Sequence, residues 1–184
     1  MKNSKNNSLL VLILFIIAYL FLQPNKFKDE IANNKSFYEI GFVKRVVDGD
    51  TAIITIKNKD YRVRFIGINT PEYNLSEDII EPLGKEASEY TSNLIENKLV
   101  YLEKDISDID QHGRLLRYLW LKPAENPQNP NYDEIKNQMV NGILVRDGYA
   151  RAREYKPDTH YRDIFRNIES EAKIKKVGLR GLGE

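Results

Sequence analysis

Cysteine is absent from this chain of 184 residues, and histidine occurs only twice. The lack of thiols excludes disulfides, thiolate zinc sites, a cysteine nucleophile and a lipid-anchoring cysteine. His112 and His160 are too few and too far apart in the sequence to form a zinc site, so both are interpreted as surface residues.

A large excess of either charge is also missing. The chain has 28 basic and 27 acidic residues, which gives a net charge of +1. This balance excludes a polybasic nucleic-acid coat but permits a local basic cleft, because a field depends on where the charges lie. With 41% hydrophobic and 30% charged residues, the composition predicts one soluble globular domain with appendages.

Only one long apolar run occurs, and it spans residues 9–22 near the N-terminus. Lys2 and Lys5 precede it, which is typical of a secretory signal. The run would form roughly 21 Å of helix, which is short for a bilayer span, and no small-residue cleavage site follows it. Residues 1–24 are therefore predicted to be an uncleaved signal anchor or a cleaved signal peptide, with the anchor preferred over both that alternative and a buried core helix. Either signal places the body outside the cytoplasm, membrane-anchored or secreted.

Residues 25–38 lack periodicity and are predicted to be a linker. The body, residues 39–184, is predicted to be α+β. Five strands are expected at residues 42–47, 51–57, 61–65, 100–106 and 115–121. Helical spacing of apolar residues predicts three helices. The first starts near Pro82, the second ends near Asp147 and the third spans Tyr161–Lys176. A helix between the third and fourth strands favours a five-stranded OB-fold β-barrel preceded by the hydrophobic segment.

The segment Phe65–Glu72 is an apolar strand that ends in a polar turn at Pro71. Proline stops a strand ladder because it has no N–H group. Asp50, the Asn69 side chain and the Thr70 carbonyl can offer hard oxygens to a divalent cation such as Ca²⁺. The turn that contains Asp50 also has an ordinary interpretation, because Asp-Gly-Asp is a common turn sequence without any metal.

Two arginines and a glutamate complete a candidate reaction centre. Arg64 and Arg114 can clamp a phosphate and neutralise charge in a phosphoryl transition state. Glu72 can take a proton from attacking water. Arg64 is expected either on the outer face of its strand or inside a polar pocket at the barrel rim, and both arginines are otherwise common surface charges. Together these residue types predict a metal-assisted phosphodiesterase.

The combination resembles the staphylococcal nuclease (thermonuclease-like) family over about residues 42–179. The matching segments, in chain order, are Val47–Thr51, Arg64, Gly67–Glu72, Gly84–Ala87, Asp110–Arg114, Val140–Asn141, Leu144–Ala150 and Tyr155–Pro157. The resemblance implies a calcium-dependent nuclease that acts on DNA and RNA, with single strands preferred, on a monomeric barrel.

By position, the resemblance implies two sets of functional residues. The first set holds the metal and performs the reaction: calcium ligands Asp50, Asn69 and Thr70, outer-shell acid Asp48, and catalytic Arg64, Glu72 and Arg114. The second set contacts the nucleotide: Tyr155, Arg153, Gln111 and His112.

Four of these positions depart from the family pattern. Asn69 stands where an aspartate is usual, so calcium is expected to bind more weakly or the metal preference to change. Gln111 and His112 replace a lysine and a tyrosine, and Arg153 replaces a second tyrosine. Arginine can still stack on a base. The alternative function is a catalytically weak nuclease-like module that binds nucleic acid at the cell surface.

Overall fold

The computed structural model describes residues 37–74 and 79–181. Five strands close into a barrel in the order β1, β2, β3, β8, β7. They are β1 (Glu39–Asp48), β2 (Thr51–Ile56), β3 (Lys59–Phe65), β7 (Leu99–Glu103) and β8 (Leu115–Trp120). Only β3 and β8 pair in parallel. This mixed barrel with helices confirms the predicted α+β OB-fold class.

Alternating burial along the strands builds the barrel core. In β2 the residues at positions 52, 54 and 56 are buried, whereas Ile53 and Thr55 are partly exposed. The register of β1 against β2 shifts twice, between Val43 and Arg45 and again before Asp48. Such irregularities bend a strand and increase its twist, which allows a long strand to curve around a small barrel.

Two short pairs of strands differ from the predicted elements. The expected polar loop at residues 73–81 contains a small hairpin of β5 (Tyr73–Asn74) and β6 (Ile79–Ile80). Beyond the end of β3, β4 (Ile68–Asn69) pairs with β9 (Arg151–Ala152). These pairings involve only two residues per strand, too few for a periodic signal in the sequence.

Four α-helices occur in the described part of the chain. They are α1 (Gly84–Ile95), α2 (Tyr132–Gln138), α3 (Val140–Arg146) and α4 (Arg162–Lys175), and a 3₁₀ turn follows at Gly178–Gly181. The second predicted helix is thus two helices. Met139 is extended between them and forms a bridge with Trp120, while Leu121 N donates to Gln138 O at 2.9 Å. The helix is interrupted at Met139 because the backbone there bonds to the end of β8 and the residue after it.

Asn141 of α3 ties the helices to the barrel. Its Oδ1 accepts from Leu119 N at 2.9 Å, and its Nδ2 donates to Ile66 O at 2.8 Å. The side chain is fully buried, so both bonds form away from water and replace backbone pairing that the barrel lacks at these positions. This contact fixes the end of β3 and the turn that follows it.

The N-terminal predictions fall mostly outside the described residues. These are the signal segment at 1–24 and nearly all of the linker at 25–38. Tyr38, at the last position of the predicted linker, is buried against the core. Within residues 37–74 and 79–181, no helix has the length and apolarity needed to cross a bilayer.

Glu103 is a buried carboxylate at the end of β7, and it generates a prediction about pH. Its oxygens accept from Trp120 Nε1 at 2.7 Å and from the Tyr161 hydroxyl at 2.8 Å. Burial raises the pKa of Glu103 from 4.5 to about 7, although the two hydrogen bonds oppose the rise. The native state therefore holds this proton more tightly than the unfolded state does, and the associated stability is lost as pH rises from 4.5 to 7.

Glu103→Gln should remove this pH-dependent component. The free-energy difference between wild type and variant should shift in favour of the variant by about 1.4 kcal/mol per pH unit across that window. Urea unfolding of both proteins at a series of pH values measures the shift. A difference between the two that stays constant from pH 4.5 to 7 would contradict the raised pKa.

Candidate active site

The turn between β1 and β2 places a buried carboxylate at one end of the barrel. Asp50 is 5% exposed, and its Oδ2 accepts from Thr70 N at 2.9 Å. Asp50 N donates to Asp48 Oδ1 at 3.1 Å, and Thr91 of α1 donates to Gly49 O at 2.7 Å. The turn is therefore held by its own acid, by the segment after β4 and by α1.

Burial and a second acid both oppose ionisation of Asp50. Burial, with a smaller contribution from the Asp48 carboxylate, raises the pKa of Asp50 from 3.8 to about 7, although Arg64 opposes the rise. A cation bound here would stabilise the ionised form of Asp50. Hard oxygens from two acids and a backbone carbonyl are ligands that Ca²⁺ accepts, so the donor set fits such a cation.

Asn69 is turned so that its amide group contacts the carbonyl of Thr70. Its Nδ2 donates to Thr70 O at 3.1 Å, while its Oδ1 accepts from Arg64 Nη2 at 3.1 Å and from the Tyr155 hydroxyl at 3.3 Å. The amide must rotate before its oxygen can join Thr70 O as a ligand. No group of three or more acidic, histidine or cysteine residues suited to a metal occurs in the described ranges.

Arg64 lies in a polar pocket, which is the second of the two positions that the sequence left open. Its Nη1 donates to Phe65 O at 2.7 Å and to Ile68 O at 3.0 Å. Its Nη2 lies 3.0 Å from Asp50 Oδ2, and the side chain is only 11% exposed. The guanidinium carbon is 5.9 Å from the centre of the Tyr155 ring. These contacts hold a cationic group rigidly at the pocket.

Arg114 is oriented by an acid four residues earlier in the same turn. Its Nε donates to Asp110 Oδ2 at 2.7 Å, and Asp110 Oδ1 accepts from the backbone N of both His112 and Arg114 at 2.9 Å. Partial burial raises the pKa of Asp110, but the bonds from Arg114 and His112 outweigh it and lower the pKa. Asp110 was not among the residues predicted to be functional, although an aspartate that opens a turn commonly bonds the backbone two residues later.

Glu72 lines the same pocket as Arg64 and Arg114. It is exposed, and its backbone N donates to Glu81 Oε2 at 3.0 Å. Partial burial raises its pKa, Asp48 raises it further and Arg64 lowers it. A carboxylate with a raised pKa is a better proton acceptor than an ordinary glutamate at neutral pH.

A cavity of about 630 Å³ unites most of the predicted functional side chains. The members of both predicted sets that line it are Arg64, Asn69, Glu72, Gln111, His112, Arg114 and Tyr155. Asp50 and Thr70 lie behind this wall, in contact through Arg64 and Asn69. Asp48 is linked to the site through the backbone of Asp50.

Arg153 is exposed and does not line the cavity, and its backbone N donates to Gly67 O at 2.9 Å. Conversely, Ile109 and Lys156 line the cavity without having been predicted. Lys156 follows Tyr155 directly, whereas no sequence pattern marks Ile109.

The sequence of the chain is similar to those of known proteins. The family described as Staphylococcal nuclease homologue matches residues 62–180. The chain is 34% identical over 173 residues to a thermonuclease of Staphylococcus intermedius, which covers 92% of this chain and 94% of that protein. It is 36% identical over 135 residues to a thermonuclease of Staphylococcus hyicus, covering 73% and 72%.

The chain is also similar to a protein of Bacillus subtilis (strain 168). Endonuclease YncB of that organism is 32% identical over 137 residues, which is 73% of this chain and 58% of that protein.

Gly84 provides a test of how tightly Glu72 is positioned. A Cβ at Gly84, the first residue of α1, would lie 2.4 Å from the Glu72 carbonyl oxygen. Gly84→Ala should therefore force this backbone apart and lower the free energy of unfolding by roughly 1–3 kcal/mol. Urea unfolding measures the loss, with Lys85→Ala on the exposed side of the same turn as control. Equal stability of the two variants would contradict the close contact.

Proposed function

Because the chain belongs to the staphylococcal nuclease family, we propose that it is a calcium-dependent nuclease hydrolysing phosphodiester bonds of DNA and RNA. The observation that carries the proposal is the convergence of Arg64, Glu72 and Arg114 on one cavity beside buried Asp50. These groups come from three separate segments of the chain. Surface charges with no shared role would have no physical reason to surround one cavity.

The metal-binding role is assigned to the carboxylate of Asp50, the carbonyl of Thr70 and the amide oxygen of Asn69, with Asp48 behind them. Calcium bound there would polarise a phosphate oxygen and favour ionisation of water. The raised pKa of Asp50 supports this assignment, since a buried carboxylate close to a second acid is stabilised by a cation.

The two arginines are assigned to the phosphate. Arg64 and Arg114, which both line the cavity, donate to non-bridging oxygens, whose charge changes as the phosphorus–oxygen bond breaks. Arg64 is held by two backbone carbonyls and Arg114 by Asp110. Both are thereby pre-oriented, so little rotational freedom is lost when the substrate binds.

Glu72 is assigned as the general base. It takes a proton from water as the oxygen attacks phosphorus in line with the leaving sugar oxygen, and the chain supplies no covalent nucleophile. Its raised pKa supports this role, because a carboxylate of ordinary pKa is a weak base near neutral pH.

The substrate contacts are assigned to the cavity wall. Tyr155 and His112 offer rings on which bases can stack, and Gln111 offers an amide. Single-stranded substrates are proposed as preferred, because bases must be unpaired to stack on side chains. Arg153 is proposed to contact the strand outside the cavity. The protein is further proposed to act as a monomer, outside the cytoplasm, anchored or secreted through residues 1–24.

A catalytically weak nucleic-acid-binding module at the cell surface is the second candidate. The orientation of Asn69 favours it, because the amide nitrogen contacts the Thr70 carbonyl that the metal would need. The two candidates differ in whether the bound strand is cut.

Cleavage of labelled single-stranded DNA by the full chain, with Ca²⁺ and with a chelator, distinguishes them. We expect cleavage that needs Ca²⁺, falls on the order of 10²–10⁴-fold in Glu72→Gln and falls about 10²-fold or more in Arg114→Ala. Lys85→Gln, an exposed change of charge on α1, is the control. Binding without cleavage would support the second candidate, and full activity in a folded Arg114→Ala would refute the phosphate clamp.

Asn69→Asp should strengthen metal binding. The carboxylate adds a negative ligand and removes the N–H group that contacts Thr70 O. The dissociation constant for Ca²⁺ should fall by about tenfold or more, because ligand charge tunes calcium affinity. Isothermal titration of the full chain measures the constant, with Asn93→Asp on the exposed side of α1 as a control of equal charge. A tighter complex in the control alone, or in neither variant, would contradict the assignment.

A further inference from the structure

The outside of the barrel carries an uncovered apolar patch. Phe42 of β1 lies directly opposite Leu99 of β7, and Ile40 lies opposite Tyr101. Alternate residues of a strand face the same side, so these four side chains form one block, here called the β1–β7 patch. Ile40, Phe42 and Leu99 are 42%, 41% and 61% exposed.

The patch begins where the chain enters the barrel. Tyr101 continues the same face to Trp120 of β8, with which it pairs. The ring of Tyr38 covers this part, at 6.2 Å from the Tyr101 ring and 6.1 Å from the Trp120 ring. Tyr38 immediately precedes β1, so the chain that leads into the fold arrives at the border of the patch.

Three lysines adjoin the patch. Lys44 follows Phe42 on the same face of β1, Lys98 precedes Leu99, and Lys57 follows the end of β2. The Lys57 side chain is 87% exposed and lies 3.9 Å from Glu39, while Lys44 bonds Asp60 at 2.8 Å. The Lys98 ammonium group donates to the carbonyls of Asn93 and Leu94, so, among the residues that the structure describes, two of the three lysines are offset by acids and the third is not. An exposed apolar block with ammonium groups at its border has the chemistry of a surface that meets anionic headgroups and the upper acyl region.

We propose that the β1–β7 patch rests on the surface of a lipid bilayer that contains anionic lipids. Only residues 23–36 separate the apolar run at 9–22 from Phe37. Fully extended, such a stretch spans at most roughly 50 Å. Residues 23–36 are therefore long enough to let the patch reach a bilayer in which the apolar run is held, and lipid, not a second copy of this chain, is the occupant that we propose.

This orientation directs the candidate active site toward water. Ile40 lies near the start of β1, whereas Asp48 ends it. Eight residues of strand separate them by at most roughly 25 Å, because β1 curves around the barrel. A nucleic acid arriving from solution would thus meet the cavity without passing between the protein and the bilayer. The proposal does not depend on the nuclease activity, because lipid contact can be measured without any substrate.

The absence of cysteine permits a site-specific test. Leu99→Cys in the full chain is labelled with an environment-sensitive nitrobenzoxadiazole group, and Ile174→Cys of α4, an isoleucine that is 82% exposed, is the matched control. Both proteins are mixed with vesicles of phosphatidylcholine and phosphatidylglycerol. We expect the label at 99 to shift to the blue and to be quenched by nitroxide lipids several-fold more than the label at 174, and less so in pure phosphatidylcholine.

Several outcomes would overturn the proposal. Equal quenching at positions 99 and 174 would show that the patch does not face lipid, and failure of the chain to bind the vesicles would show the same. A blue shift at position 99 that grows with protein concentration in the absence of lipid would identify the occupant as a second copy of this chain.

Discussion

The ion pair between Asp50 and Arg64 joins the fold to the candidate site. Arg64 of β3 pairs in register with Thr51, the residue that follows Asp50, so strand pairing brings the two side chains together. A buried carboxylate needs compensation, and Arg64 supplies it at 3.0 Å. The same guanidinium bonds the carbonyls of Phe65 and Ile68, so it also fixes the turn that leads to Asn69.

The surrounding elements restrain the remaining groups in the same way. Thr91 of α1 holds the carbonyl of Gly49, and the start of α1 packs against the carbonyl of Glu72. Asp110 holds Arg114 at the wall of the cavity. Asp50, Arg64 and Arg114 are thus positioned by contacts that are present without substrate, which is the condition for electrostatic stabilisation at little entropic cost in the roles proposed for them.

Much of the architecture followed from local patterns. The five barrel strands and the helix between the third and fourth were predicted from period-two and helical spacing, and their order indicated the barrel. The single helix expected before Asp147 was wrong, because Met139 leaves helical geometry to pair with Trp120, a partner about twenty residues away in the chain. The hairpin at Tyr73 and Ile80 was missed for a similar reason, since two-residue strands depend on their partner and not on periodicity.

Residue types alone determined the chemistry available to this protein: carboxylates, arginines and an amide in three segments, with no thiol to compete. The motifs that carry them also determined the family. Only the tertiary structure decided that Arg64 faces the cavity, that Asp110 orients Arg114, that Asn69 directs its nitrogen toward Thr70 and that Arg153 lies outside. The physical reason is that side-chain direction and hydrogen-bond partners depend on groups distant in sequence, whose positions are set by strand pairing and packing around the barrel.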